Sequence, residues 1–173
     1  MNNRLLTPER INALSHLSRW RGWTKRPYSV LEHCCVGANV LQWFKWSSGL
    51  QRKWWLHDLH ETEIVGDVPT PDKHEYMNQR FDIAVEEFDT ALGNEVEFGP
   101  KWWRDKTLKK IDRCMLLVEN DQLATRKDPL LCKPDYNDPM VTGMYRLIDQ
   151  RVYDDQAKAV TKLWMDWTRV NDQ

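Results

Sequence analysis

Residues able to do chemistry concentrate around Leu56-His57-Asp58-Leu59-His60-Glu61, followed by Gly66-Asp67-Val68-Pro69-Thr70-Pro71. The pair His57-Asp58 sets an imidazole beside a carboxylate, and both are good ligands for a divalent metal. Apolar neighbours (Trp54, Trp55, Leu56, Leu59) make the pair read as polar chemistry on a buried helix. Glu61 follows His57 by four residues and Asp58 by three, spacings that share one face if the helix continues. His33 and Asp112 are two further ligand types with apolar helical neighbours. Together His33, His57, Asp58 and Asp112 form a mixed nitrogen and oxygen set suited to Mn, Co, Zn, Fe or Mg. Each taken singly has a plainer reading, as a hydrogen-bonded core histidine or a solvated aspartate. Their joint occurrence carries the metal hypothesis.

Helices must position them. Thr7-Pro8-Glu9-Arg10 is a helix start, and Ile11, Leu14 and Leu17 continue it to about Ser18. Arg19 to Pro27 is basic and aromatic, with breakers at Gly22 and Pro27, and reads as a loop. Ser29-Val30-Leu31-Glu32 is a capping box opening a helix that ends near Gly49. A third helix is expected over roughly Gln51 to Ile64, and Gly66 to Pro71 then breaks the chain. Asp72 caps a fourth, ended by Gly93. A fifth carries Trp103, Leu108, Ile111, Met115 and Val118, with Asp112 among them. The last two are expected at about Pro139 to Asp149 and Asp154 to Val170. Without strand alternation or repeats, the expectation is a single all-α domain spanning residues 1–173.

Composition narrows the class. Apolar residues make up 41% of the 173 and charged residues 29%, so a folded core is expected rather than disorder. A net charge of −1 argues against a protein built to coat nucleic acid. The four cysteines form no CxxC pair and suit a reducing cytosol, so the expected location is the cytoplasm, a host's if the chain is viral. No apolar run approaches membrane-spanning length, and no membrane partner is expected. The ten tryptophans suit a helical core or a subunit interface.

His33, then His57-Asp58, then Asp112 resembles the H…HD…D signature of the HD-domain metal-dependent phosphohydrolases. The closer likeness is to the small branch of 5′-deoxynucleotidases and viral dATP triphosphohydrolases. It rests on His16-Leu17-Ser18-Arg19-Trp20, on Ser29-Val30-Leu31-Glu32-His33, and on the HDLHE and GDVPTP stretches, roughly residues 14 to 112. The resemblance implies an all-α fold holding a divalent metal (Mn, Co, Zn or Mg) between helices. It implies ligands His33, His57, Asp58 and Asp112, with Glu61 as general acid/base and Asp67 orienting Glu61 or the leaving oxygen. Arg19 then matches a phosphate contact, and Trp20 a wall against the sugar that excludes a 2′-hydroxyl. Lys73 and Lys109 are candidates for the outer phosphates of a triphosphate. The chain has one residue more between Glu61 and Gly66 than the family spacing, so either a bulge absorbs it or Glu63 shares the role of Glu61. His60 and His74 are expected at the surface, and His16 as structural.

The implied activity is hydrolysis of a deoxynucleoside 5′-phosphate. One version is a dATP triphosphohydrolase releasing triphosphate; the other is a 5′-deoxynucleotidase releasing orthophosphate from a monophosphate. A homo-oligomer is implied by analogy. The competing class is a nucleotide or single-stranded nucleic-acid binding module, for which Arg19, Arg21, Lys25 and Arg26 interleave with Trp20 and Trp23. The rest of the chain offers no extended basic surface, so no stable nucleic-acid partner is expected.

Overall fold

The computed structural model describes residues 4–64 and 79–153, together with 155, 158, 161, 162 and 165. Among the described residues the chain is all α, with six helices and no sheet. Helix α1 (Pro8–His16) starts where the Thr7 side chain accepts the Arg10 amide. It stops at His16 because Leu17 turns extended (φ −85°, ψ 114°), which lets Leu17 accept from the Val30 amide.

Helix α2 (Val30–Trp43) begins at Ser29, whose hydroxyl accepts from the Glu32 amide at 3.1 Å. The Glu32 side chain is also held by Arg26, which donates to both its oxygens at 2.7 and 3.0 Å. Residues Val30 to Ala38, Val40 and Leu41 are buried, so α2 is the central rod of the core. It packs against α1 and against three later helices: α3 (Ser48–Leu56), α5 (Lys106–Gln122) and α6 (Pro139–Asp149). The expected run to Gly49 is cut short. Lys45 sits in the left-handed region at φ 54°, and Ser47 caps the next helix by accepting from the Leu50 amide.

Helix α3 ends at Leu56, not near Ile64. His57 is its C-cap, Asp58 leaves helical geometry at φ −107° and ψ 11°, and Leu59–Thr62 form a separate 3-10 turn. The cause is local. The Trp54 carbonyl accepts from His57 Nδ1 at 2.6 Å and competes with continuation of the helical ladder. The His57-Asp58 dipeptide therefore sits at a break between helices.

Helix α4 (Gln79–Glu95) runs through Gly93 instead of ending there. A Cβ on Gly93 would stand 2.6 Å from the Trp102 ring, so this glycine makes room for a tryptophan rather than a turn. Asp105 caps α5, after a short 3-10 turn (Trp102–Arg104) that takes Trp103 out of the expected helix. Helix α6 keeps its expected bounds, with Asp138 as N-cap. The expected cap Asp72 and nearly all of the expected Asp154–Val170 helix lie outside the described residues.

The tryptophans divide. Trp54, Trp55 and Trp102 are core, whereas Trp43 is 61% exposed and Trp46 39%. Among the described residues no helix is long and apolar enough to cross a membrane.

Candidate metal centre

The site lies where α2, the break after α3, and α5 meet. Trp54 builds one wall. Its indole donates to the Cys34 carbonyl of α2 at 2.9 Å and stacks on the His57 ring with centroids 4.3 Å apart. The ring fits only because α2 has Gly37 there: a Cβ at that position would overlap the indole. A glycine on one helix thus sets the orientation of an imidazole on another.

Four side chains converge. His33 Nε2 and His57 Nε2 are 3.3 Å apart. Asp58 Oδ2 is 3.6 Å from the first and 3.2 Å from the second. Asp112 Oδ1 is 3.7 Å from His33 Nε2 and 3.8 Å from His57 Nε2. An ion with bonds of about 2.1 Å places neighbouring donors roughly 3.0–3.4 Å apart; the His33–His57 and His57–Asp58 separations lie in that range, and the other three exceed it by a few tenths of an ångström. His33, His57 and Asp58 lie close enough together, and deep enough, to hold a metal. The Asp112 side chain is 36% exposed and forms the open flank.

Hydrogen bonding supplies a second test of fit. His33 Nδ1 faces Glu119 Oε1 at 2.6 Å, and His57 Nδ1 faces the Trp54 carbonyl, so both Nδ1 atoms carry the ring proton. With the ring proton on Nδ1, each imidazole turns its Nε2 toward the other. Asp58 Oδ2, also an acceptor, is buried there with no hydrogen bond. Three acceptors pointed at one spot need a cation or protons.

The electrostatics agree. Burial alone would raise the Asp58 carboxyl, but His57, His33 and Arg19 outweigh it and hold it far below the usual carboxylate range. Burial alone would lower His57; the carboxylates of Asp58 and Asp112 outweigh it and raise its pKa.

The remaining expected residues fall into place unevenly. Glu61 is buried in the 3-10 turn, its amide bonded to the Asp58 carbonyl at 3.0 Å. Glu63 is turned outward and pairs with Arg10 at 2.6 Å. Arg19 is buried between carboxylates, 3.2 Å from Glu119 and 3.7 Å from Asp58. Trp20 is buried beside it. Lys109 lies exposed on α5, one turn before Asp112. Asp67, Lys73 and His74 lie outside the described residues. His16 is exposed. His60, expected at the surface, is buried instead, with Nδ1 3.4 Å from Asp89 Oδ1 of α4. The 3-10 turn aims it inward, where a continuous helix would not.

Sequence reading missed Glu119. It is fully buried and accepts from four side chains: His33 and Tyr28 on Oε1, and Arg19 and Trp20 on Oε2. Its seven-residue offset from Asp112 on α5, two helical turns, was the available signal. The Arg19–Gly22 segment is likewise more than a loop. It is a 3-10 turn with Trp20 at φ 56° and Arg21 at φ 51°, left-handed values that cost on the order of 1–3 kcal/mol each. Comparison with protein-family models and with curated proteins finds no match to this chain.

Proposed function

We propose that the chain is a metal-dependent phosphohydrolase of the HD-domain type acting on deoxynucleoside 5′-phosphates. The observation that carries this reading is the buried group of His33, His57 and Asp58, with Asp112 Oδ1 3.7 and 3.8 Å from the two imidazole Nε2 atoms. These four residues would hold the cation. When bound, a divalent ion supplies positive charge against the phosphate oxygens and makes water acidic enough to attack near neutral pH. The protein supplies the rest. Glu61, buried in the turn directly after Asp58, gives and takes the proton. Arg19 and Trp20 form the wall on the α1 side. They meet the phosphate and the sugar, with the indole excluding a 2′-hydroxyl. Lys109 lies on the exposed flank, suited to outer phosphates, and Asp67 and Lys73 complete the set.

The preferred substrate is dATP, cleaved to deoxyadenosine and triphosphate. The resemblance, together with exposed Trp43 and Trp46, supports assembly with further copies of the chain. The competing reading, a single-stranded nucleic-acid module, is weakened. Arg26 is bound to Glu32, and Lys25 donates to the Gln122 carbonyl at 2.7 Å. Chromatography of dATP and dAMP incubated with the protein and Mn²⁺ or Co²⁺ is the test. Triphosphate from dATP is the expected product. Orthophosphate from dAMP alone would assign the 5′-deoxynucleotidase version, and turnover of neither would sink both.

A further inference from the structure

We infer that Glu119 is a positioning residue that couples cation affinity to the conformation of the Arg19–Trp20 turn; this rests on the metal site proposed above. Its two oxygens serve different halves of the site. Oε1 accepts from His33 Nδ1 at 2.6 Å and from the Tyr28 hydroxyl at 3.0 Å. Oε2 accepts from Arg19 Nη2 at 3.2 Å and Trp20 Nε1 at 3.3 Å. The carboxylate is fully buried, so water does not substitute for any of the four donors.

The Oε1 side fixes His33 with its proton on Nδ1 and leaves Nε2 bare toward His57 and Asp58. The Oε2 side holds a turn whose backbone is unfavourable on its own, with consecutive positive φ values at Trp20, Arg21 and Gly22. A carboxylate rotated to satisfy one pair moves the other. A change at Trp20, which is not a ligand, is therefore felt at the cation, and by linkage a bound cation stiffens the turn. Arg19 closes the loop, since its other nitrogen lies 3.7 Å from Asp58 Oδ2.

A double-mutant cycle on Mn²⁺ affinity, read by calorimetry on the full chain, tests this. E119Q is expected to weaken Mn²⁺ binding by about 10–100-fold, the usual effect of losing a carboxylate behind a metal-bound histidine. W20F keeps an aromatic side chain but removes the Nε1 donor, and is expected to weaken Mn²⁺ several-fold. In the E119Q background W20F should add nothing further. NMR of the metal-free protein should show a strongly hydrogen-bonded His33 Nδ1 proton that moves upfield in E119Q, which a purely packing role would not cause. Wild-type Mn²⁺ affinity in W20F overturns the coupling, whether or not E119Q folds. Full additivity of the two changes overturns it as well. Failure of the wild-type chain to bind Mn²⁺ would instead remove the metal site on which it rests.

Discussion

His33 and His57 turn their Nε2 atoms toward each other across 3.3 Å, while each commits Nδ1 to a separate acceptor. Neutral rings in that arrangement repel. Trp54 and Glu119 hold the rings from behind, and a cation between the Nε2 atoms would relieve the repulsion. Asp58 adds its buried oxygen to the same point, 3.2 Å from His57 Nε2.

Asp58→Ala should therefore remove the carboxylate that balances the cation's charge and leave two imidazoles unable to hold it. The expected outcome is loss of Mn²⁺ binding by at least about 100-fold and loss of nucleotide hydrolysis. Calorimetric titration beside a product assay checks it. A variant that stays metal-replete and active would show that the convergence at 57–58 is only structural.

Gly37→Ala tests the packing that aims His57. The added methyl overlaps the Trp54 indole, and the ring is flanked by the Cys34 carbonyl and the His57 imidazole, so it cannot withdraw freely. Overpacking of this kind costs about 1–3 kcal/mol. Urea unfolding should show that loss, and Mn²⁺ affinity should fall with it, because the displaced indole carries His57 along. Wild-type stability would mean that α2 and α3 separate more easily than their packing suggests.

How much of this was legible beforehand follows from range. Caps and periodicity are local, so the starts of α1 and α2 could be placed from Thr7 and Ser29, and α6 at about Pro139 to Asp149 from its periodicity. The ligand types His33, His57, Asp58 and Asp112 were legible because each is a polar group set among apolar helix residues. The break after Leu56 was not, since a side-chain bond from His57 to the Trp54 carbonyl ends the helix and no propensity encodes that choice. Gly93 misled for the opposite reason: its role is set by Trp102, nine residues away and beyond another helix end. Glu119 was missed because its offset from Asp112 marks only a shared helix face, and a buried glutamate looks like a surface one until Arg19, Trp20, Tyr28 and His33 are brought to it by the fold.

The same glutamate sets an acid limit on stability. Burial alone would raise its pKa, but Arg19, His33 and the hydrogen bonds from His33 and Tyr28 outweigh burial and hold it at about 2, against an ordinary 4.5. A folded-state pKa below the unfolded one stabilises the fold fully above about pH 4.5, and that contribution is lost as the pH falls toward 2. Asp112, also held at about 2, acts in the same direction. The urea midpoint of the metal-free protein should therefore drop between pH 6 and pH 3.5. Equal midpoints would show that these carboxylates are not the charged hubs their contacts imply.

Removing and restoring the cation should move stability without any mutation. Binding only to the folded chain stabilises it by about 2.7 kcal/mol at a free metal concentration 100 times Kd. The ligands come from α2, from the break after α3 and from α5, so one ion would add a further tie among three segments already joined by packing and by side-chain hydrogen bonds. Thermal melts after exhaustive chelation, then after addition of Mn²⁺, should show a rise in Tm that grows with the logarithm of metal concentration and reverses with chelator. The D58A protein should show none of it. A Tm indifferent to Mn²⁺ in the wild-type chain would mean that protons, not a metal, occupy the space between His33 and His57.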